Sequence, residues 1–243
     1  MKKVIKTPRI IVILAVIGFL MVACGGDCEH SSWTGWDEIS FGRETRECND
    51  CIEVEARLTK NIGETGEAGG VIFYRNTEGF ILQDINPANN KTVYYLEAWT
   101  TNETASPWGD YGTLVTDITT FNFTNYDNVN YVSTDPKAFL IGNGRKDTQI
   151  IIAHMEGKSI TNTAAQRCAS ATHGTKEDWF LPSLGELNEL YKAKGHTGVP
   201  TSGWFWSSSQ VVSSIAWEQH FGGGVQYGGY KTGSDDVRAV RAF

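Results

Sequence analysis

The sequence predicts an α+β fold in which the second half of the chain forms an antiparallel sheet. Runs of aromatic and β-branched residues, which favour strands, recur from residue 71 onwards and follow one another closely over residues 204–243. Apolar residues at helical spacing occur in only three short segments. Loops of Ser, Gly and Asn separate the last strands, which is typical of an antiparallel meander and not of alternating β and α units.

The composition of the 243-residue chain excludes several classes of protein. It is 40% hydrophobic and 12% aromatic, which is enough to build a buried core, so we do not expect a disordered chain. The net charge is −7, and this acidic balance argues against a nucleic-acid partner. Five cysteines are too few for a small disulfide scaffold, and the odd number leaves at least one outside any intrachain pair.

Residues 1–23 have the form of an export signal. Four basic residues precede the apolar run Ile10–Ala23, which is shorter than the ~20 residues that a transmembrane helix needs. The run leads into Leu20-Met21-Val22-Ala23-Cys24-Gly25-Gly26, which resembles the lipobox of bacterial lipoproteins, with Met21 in place of the usual Leu. The resemblance implies cleavage before Cys24, lipidation of Cys24 and a lipid anchor in a membrane. An uncleaved anchor or ordinary secretion is the alternative.

Residues 24–60 form a predicted small module rich in cysteine. Cys28 and His30 make one close pair, and Cys48 and Cys51 make a second. Four such ligands are the number that a tetrahedral structural zinc site uses, so zinc is the candidate cofactor. A disulfide is the alternative, because exported proteins favour disulfides, and a module without any linkage is a third. In each case we expect a structural role, because a catalytic zinc leaves one position open.

The same module resembles two known kinds of extracellular unit. The series Cys28, His30, Trp33, Thr45-Arg46-Glu47-Cys48 and Cys51 is similar to small modules of bacterial surface proteins. More distantly, Trp33, Trp36, Arg43 and Arg46 resemble thrombospondin type 1 repeats, and that resemblance implies interleaved Trp and Arg side chains. A Gly-rich linker is predicted at residues 61–67, with one larger domain over residues 68–243.

The larger domain contains strands and a few short helices. The clearest helix is Leu184–Lys194, because Ser183 and Glu186 fit a capping box at its start. The other predicted helices are Asp147–Met155 and Thr163–Thr172, and Cys168 lies on the apolar face of the second, where we expect it to be buried and inert. The predicted strands are Val71–Arg75, Tyr94–Trp99, Trp179–Leu181, Trp204–Ser207, Ile215–Phe221, Val225–Tyr230 and Val237–Phe243.

Several motifs occur in a fixed order along residues 68–243. They are Gly69-Gly70-Val71-Ile72-Phe73-Tyr74, Trp108-Gly109-x-Tyr111-Gly112-Thr113, Ala164-Ala165-Gln166-x-Cys168, Asp178-Trp179-Phe180-Leu181-Pro182-Ser183-x-x-Glu186-Leu187, Trp206-Ser207-Ser208-Ser209-Gln210, Ala216-Trp217 and Val237-Arg238-Ala239-Val240-Arg241-Ala242-Phe243. This series resembles the Lcl-type C-terminal domain of bacterial surface proteins. The resemblance implies a C-type-lectin-like fold, related to formylglycine-generating enzymes and to retroelement-diversified binding proteins.

The last strands contain the candidate ligand-binding residues. Large apolar residues alternate there with small, polar or aromatic ones, and we expect the second group to lie on one exposed face. The core candidates are Trp204, Trp206, Trp217, Phe221, Val237, Val240 and Phe243. The ligand-binding candidates are Gln210, Ser213, Ser214, Glu218, Gln219, His220, Gln226, Tyr227, Tyr230 and Lys231. Tyr, Ser and Gly make an adaptable contact surface, and the resemblance implies that it binds a protein or glycan, although solvated loops without a partner would look the same.

No catalytic residues are predicted. The chain lacks a G-x-S-x-G elbow, an H-E-x-x-H helix and a phosphate-binding loop. The formylglycine-generating relatives use a pair of active-site cysteines, whereas Cys168 is the sole cysteine in residues 68–243. We do not expect calcium either, because the sugar-binding signatures of C-type lectins are absent and scattered carboxylates are usually solvated.

Together these features predict a surface lipoprotein of a bacterial cell envelope, anchored in the outer membrane or at the cell surface. Its C-terminal face would bind a protein or glycan ligand, as in adhesion or recognition. A structural envelope lipoprotein without a diffusible ligand is the main alternative. A divergent enzyme is a further alternative, and it would need a cluster of ionisable groups in a pocket.

Overall fold

The computed structural model describes residues 33–48, 54–121, 126–127, 130–131 and 135–243. The predicted α+β class is confirmed, since these residues form three α-helices and three sheets whose strands are mostly antiparallel. The helices are α1 (Gly144–Gly157), α2 (Ala164–Ala169) and α3 (Leu184–Lys192). None of the helices in these ranges is long and apolar enough to cross a membrane.

The first sheet contains three short strands near the start of the described chain. They are β1 (Asp37–Ser40), β2 (Arg43–Glu47) and β3 (Val54–Leu58), paired antiparallel in the order β1-β2-β3. The turn between β1 and β2 contains Gly42, whose φ of +72° is strained for any residue with a Cβ. A Cβ there would also lie 3.1 Å from the Tyr95 ring. This close approach lets the Tyr95 hydroxyl donate a hydrogen bond to the Gly42 carbonyl at 2.6 Å.

The second sheet has the order β13-β5-β4. It is built from β4 (Val71–Leu82), β5 (Lys91–Ala98) and β13 (Val240–Ala242). β4 is much longer than the predicted Val71–Arg75, because the strand continues through a bulge between Arg75 and Phe80 and then pairs again with β5. The last strand, β13, therefore pairs with β5, although the two strands are far apart in the sequence.

The third sheet has seven strands in the order β6-β12-β9-β10-β11-β8-β7. Its pairs are antiparallel except for β12 and β9, which run parallel. The predicted strands starting at Trp204, Ile215 and Val225 correspond to three adjacent members of this sheet. The strands are β6 (Glu103–Pro107), β7 (Tyr126–Asp127), β8 (Asn130–Tyr131), β9 (Trp204–Val212), β10 (Ile215–His220), β11 (Gln226–Tyr230) and β12 (Ser234–Val237).

The capping box of α3 is confirmed. The Glu186 amide donates to the Ser183 hydroxyl at 3.2 Å, and the Glu186 carboxylate accepts from the Ser183 amide at 2.8 Å. The predicted strand Trp179–Leu181 is wrong, because Phe180 forms only an isolated bridge with Val240. That bridge places the segment before α3 against the end of the chain.

The core follows most of the predicted pattern. Trp206, Trp217, Phe221, Val237 and Val240 are fully buried, as predicted. Cys168 is fully buried in α2, which confirms its predicted burial, and this burial raises the pKa of its thiol. The prediction is wrong for Trp204 and Phe243, which are only half-buried, although Phe243 packs against the cluster of Leu58, Ile72 and Tyr95.

Candidate functional site

The predicted anchor and metal ligands lie mostly outside the described residues. This holds for Cys24, Cys28, His30 and Cys51, so lipidation, zinc and a disulfide all stay predictions. Cys48 is described, and it is buried and bridged to Trp33. Within the described ranges no group of three or more His, Cys, Asp or Glu side chains could hold a metal ion.

The first sheet does contain interleaved Trp and Arg side chains. The Arg46 guanidinium lies 4.7 Å from the centres of both the Trp33 and the Trp36 rings. Arg57 covers Trp36 at 4.0 Å, whereas Arg43 lies over Tyr94 at 4.5 Å. Trp33, Arg46, Trp36 and Arg57 therefore form a stack, which we call the Trp–Arg stack. Its cation–π contacts compensate for the small apolar core of this sheet.

Five of the ten predicted ligand-binding residues are buried, so the prediction that they are exposed is wrong. They are Gln210, Glu218, Gln219, Gln226 and Lys231, with relative exposures from 0% to 8%. Each lies inside or just after a strand of the third sheet, where neighbouring elements cover it. The polarity of these five residues could not predict that neighbouring elements bury them.

Gln210 and Lys231 form a buried polar contact. The Lys231 ammonium donates to the Gln210 side-chain oxygen at 2.9 Å and lies 4.4 Å from the centre of the Trp108 ring. Gln210 in turn donates to the Thr120 hydroxyl at 3.0 Å and to the Val115 carbonyl. Burial lowers the pKa of Lys231 to about 8. These contacts fix the loop before α1 onto the sheet, which is a structural role.

Gln219 and Gln226 lie opposite each other on β10 and β11. Gln219 donates to the Asn188 side chain at 2.9 Å and to the Gly224 carbonyl at 3.2 Å, which joins β10 to α3. Because these side chains point towards α3, they cannot contribute to a surface on the other side of the sheet.

The remaining candidates reach solvent at least in part. Ser213 and Ser214 form the turn between β9 and β10, and their carbonyls accept backbone hydrogen bonds from Gly112 and Lys231. Tyr230 is 65% exposed and lies 6.2 Å from the Tyr111 ring. Its side chain is at the far end of β11, away from His220 and Tyr227.

Residues on one side of β9, β10, β11 and β12 form the strongest candidate site. Directly paired residues on neighbouring strands project to the same side of a sheet. His220 pairs with Trp204, and Glu218 pairs with both Trp206 and Tyr227. Asp236 pairs with Phe205, so these two side chains project to the opposite side of the sheet. Asp235, the residue before Asp236, therefore projects to the same side as Trp204. We call the set Trp204, Glu218, His220, Tyr227 and Asp235 the β9–β12 face.

Three rings of the β9–β12 face form a continuous patch. The Trp204 ring centre lies 4.8 Å from that of His220 and 6.0 Å from that of Tyr227. The Trp204 and Tyr227 ring planes meet at 61°, in an edge-to-face arrangement. Tyr227 is 38% exposed, while Trp204 and His220 are half-buried. The patch therefore offers ring surface to a ligand on a rigid sheet.

Two carboxyl groups lie beside these rings. The Glu218 and Asp235 carboxyls lie close enough for each to affect the ionisation of the other. Burial, and then the nearby Asp235 carboxylate, raise the pKa of Glu218 to about 8, and burial also raises the pKa of Asp235. Because the Asp235 charge disfavours ionisation of Glu218, Glu218 keeps its proton to a higher pH than an exposed glutamate does.

Gly229 lets the Glu218 side chain and the Trp206 ring pack directly against β11. A Cβ at Gly229 would lie 2.9 Å from the Glu218 carboxyl carbon and 2.6 Å from the Trp206 ring. Any side chain there would displace the Glu218 carboxyl or the Trp206 ring. The glycine thus serves the packing of both Trp206 and Glu218.

Sequence reasoning missed two members of the β9–β12 face. It assigned Trp204 to the core, and it did not include Asp235 among the ligand-binding candidates. Strand alternation could have placed Trp204, because it puts Trp204 on the side of Trp206 and opposite Phe205. The parallel pairing of β12 with β9, which positions Asp235, has no local signal in the sequence.

A second concave feature lies at the start of α1. It is a cavity of about 180 Å³ lined by Ile118, Thr119, Leu140, Asn143 and Asp147, among others. Asp147 is 1% exposed, and its Oδ2 has no hydrogen-bond partner among the described residues. Burial raises the pKa of Asp147 to about 7. Because Oδ2 is buried, a ligand cannot reach it. The ionisation of Asp147 therefore affects the stability of the protein and not ligand binding.

Comparison with known proteins shows a similarity of fold. No protein-family model matches the chain, and no curated protein matches it. Among solved structures, the chain is similar to a fimbrial protein from Bacteroides ovatus ATCC 8483, with a TM-score of 0.51 and 12% sequence identity. The similarity covers 83% of this chain and 57% of the fimbrial protein, so the chain corresponds to little more than half of that protein's length.

Proposed function

We propose that this chain is a lipid-anchored surface lipoprotein of a bacterial cell envelope, in the outer membrane or at the cell surface, and that it binds a protein or glycan ligand through the β9–β12 face. The lipobox-like run ending at Cys24 supports the anchor. The ordered motifs of residues 68–243 support an Lcl-type domain with a C-type-lectin-like fold. The similar fold of a fimbrial protein is compatible with a surface role.

The observation that carries the proposal is the patch formed by Trp204, His220 and Tyr227 beside the Glu218–Asp235 pair. Aromatic rings with a polar edge are enriched where proteins bind other molecules, because they bury much area at low entropic cost. The rings project from a paired sheet, so little ordering is needed on binding. This argument favours recognition over a purely structural role, and we propose no catalytic role.

Binding can be tested with full-length protein purified in detergent. We would apply it to arrays of glycans and of immobilised surface proteins, and compare it with Trp204→Ala and with Ile85→Ala. Ile85 is 53% exposed and lies between β4 and β5, outside the third sheet, so it serves as an apolar surface control. The proposal expects a ligand whose binding is lost in Trp204→Ala and kept in Ile85→Ala. Equal binding by both variants, with retained circular dichroism spectra, would contradict the assigned face.

The anchor needs a separate test. Metabolic labelling with a clickable fatty acid should mark the wild-type chain and not Cys24→Ala, because the cysteine thiol carries the lipid. Protease treatment of intact cells should then remove the labelled chain if it faces outwards. Labelling that persists in Cys24→Ala would contradict the anchor. Intact protein after protease treatment would contradict the surface location.

A further inference from the structure

We propose that the chain has a second binding surface, at the end of the third sheet where β9 turns into β10, and that this surface binds a neutral sugar ring of a glycan. We call it the Tyr111–Tyr230 surface. Its members are Tyr111, Val212, Ser213, Ser214 and Tyr230. The inference goes beyond the proposed function, because this surface shares no residue with the β9–β12 face.

The Tyr111–Tyr230 surface is separate from the β9–β12 face. Val212 and Tyr230 both pair with Ile215, so they flank it on β9 and β11 at the turn end of these strands. The Tyr111 ring centre lies 6.2 Å from that of Tyr230. Tyr227 and Tyr230 are three residues apart in β11, so their side chains project to opposite sides of the sheet. A ligand on one surface therefore does not contact the other.

Hydrogen bonds hold the loop that contains Tyr111 against the sheet. The Gly112 amide donates to the Ser213 carbonyl at 3.1 Å, which fixes the loop to the turn between β9 and β10. The buried Lys231 ammonium donates to the Thr113 carbonyl at 3.4 Å. Because the loop is held in place before a ligand arrives, binding costs little conformational entropy.

The exposed groups of the surface suit a sugar. Tyr111 is 54% exposed and Tyr230 is 65% exposed, so both rings present area to solvent. The face of an aromatic ring is electronegative, and the C–H groups on the face of a sugar ring pack against it. The hydroxyls of Ser213 and Ser214 can donate to and accept from sugar hydroxyls. Three of the ten predicted ligand-binding residues thus lie on this surface, namely Ser213, Ser214 and Tyr230.

The surface is electrically neutral, which favours a neutral ligand. None of its five members is charged. The adjacent Asp110 carboxylate is paired, because its Oδ2 lies 2.8 Å from the Lys158 ammonium and 3.0 Å from Nε2 of His154. Neither an acidic nor a basic ligand would find a free counter-charge in this set. We therefore expect the affinity to depend little on salt.

The small size of the surface favours a sugar over a protein partner. A stable protein interface buries roughly 800 Å² on each partner and takes about 20–30 residues from each. Five side chains around two neighbouring rings match the contact that one or two sugar rings make. A second copy of this chain is the competing occupant, and the experiments below distinguish it.

The test is a titration of full-length protein with four neutral oligosaccharides, namely maltotriose, cellotriose, mannotriose and N,N′,N″-triacetylchitotriose. The protein is kept in lauryldimethylamine oxide, because detergents with sugar headgroups would compete. Saturation-transfer difference NMR should detect binding of at least one of the four, with an affinity that changes less than about twofold between low and high salt. Binding of none of them, or strongly salt-dependent binding, would overturn the inference.

Variants assign the binding to the two rings. Tyr111→Ala and Tyr230→Ala should each weaken the affinity for the sugar about fivefold or more, because each removes a ring face. Tyr111→Phe is the matched control, since it keeps the ring and removes only the hydroxyl, so its affinity should stay within about twofold of the wild type. Equal losses in Tyr111→Phe and Tyr111→Ala would overturn the stacking on the ring.

Two further outcomes separate this surface from its alternatives. A dimer that size-exclusion chromatography with light scattering finds in the wild type and not in Tyr111→Ala would make the surface an interface between copies, and would overturn the inference. A sugar whose binding is kept in Trp204→Ala and lost in Tyr111→Ala supports two separate surfaces. If the sugars that bind are lost in Trp204→Ala and kept in Tyr111→Ala, the inference fails and the proposed function stands.

Discussion

The Arg241 guanidinium lies 2.7 Å from the Glu97 carboxylate, and both side chains are almost completely buried. The contact joins β13, at the end of the chain, to β5 in the second sheet. Glu97 also accepts hydrogen bonds from the Ala68 and Gly70 amides at 2.9 Å and 3.0 Å, and Arg241 donates to Asp178 at 2.7 Å. This network ties the start of β4 and the segment before α3 to the end of the chain.

Arg241→Met should destabilise the protein strongly, because it leaves the Glu97 carboxylate buried without its counter-charge. Removing one partner of such a pair typically lowers the free energy of unfolding by ~3–5 kcal/mol. The control is Lys192→Met, since Lys192 forms an exposed pair with Glu189 and should cost less than ~1 kcal/mol. Urea denaturation measures both losses. Similar losses in the two variants would contradict the role given to Arg241.

Glu218 should make the protein less stable as pH rises. Its pKa is raised from 4.5 to about 8 by burial and then by Asp235, so the folded state binds its proton more tightly than the unfolded state. The stabilisation is therefore complete below the unfolded-state pKa and declines as pH rises from about 4.5 to about 8. Urea denaturation at a series of pH values should show a shallower decline for Glu218→Gln than for the wild type. An identical decline would exclude Glu218 as its source.

Asp147 should contribute to the same decline. Burial raises its pKa from 3.8 to about 7, so its stabilisation is lost as pH rises through that interval. Asp147→Asn should remove a part of the pH dependence of stability that Glu218→Gln leaves in place. The double variant should remove both parts, because the two residues lie in different regions of the fold. If the double variant is no flatter than either single variant, the two contributions are not separate.

The Trp–Arg stack should stabilise the first sheet locally. Arg46→Ala removes two cation–π contacts and the hydrogen bond to Glu55 at 2.7 Å, with an expected cost of ~1–2 kcal/mol. Hydrogen exchange followed by mass spectrometry should then show faster exchange in β2 and β3. Peptides from β9 and β10 should be unchanged and serve as the internal control. Unaltered exchange in β2 would show that the stack contributes nothing to that sheet.

Local sequence signals predicted the elements that depend on local interactions. Ser183 and Glu186 identified the start of α3, because a capping box is complete within four residues. Cys168 was correctly placed on a buried helical face. The three strands beginning near Trp204, Ile215 and Val225 were predicted because their aromatic and β-branched content is high. The C-type-lectin-like assignment of the domain stays a prediction.

The buried polar residues could not be predicted, because their partners are distant in the sequence. Lys231 contacts Gln210 and Trp108, which are 21 and 123 positions away. A polar residue in a strand is most often exposed, and only tertiary contacts show otherwise. The strands of the first sheet were missed for a related reason, since Arg46 and Arg57 are stabilised by Trp rings instead of by an apolar core.

The central claim, that the β9–β12 face binds the ligand, is tested most directly by the affinities of two tyrosine variants. Tyr227 lies on this face, while Tyr111 is a tyrosine of comparable exposure outside it, at 54% against 38%. With the ligand found on the arrays, surface plasmon resonance should show an affinity about tenfold lower for Tyr227→Ala and unchanged for Tyr111→Ala, because a buried aromatic contact contributes roughly 1–2 kcal/mol. Wild-type affinity in Tyr227→Ala, with the fold intact, would contradict the account.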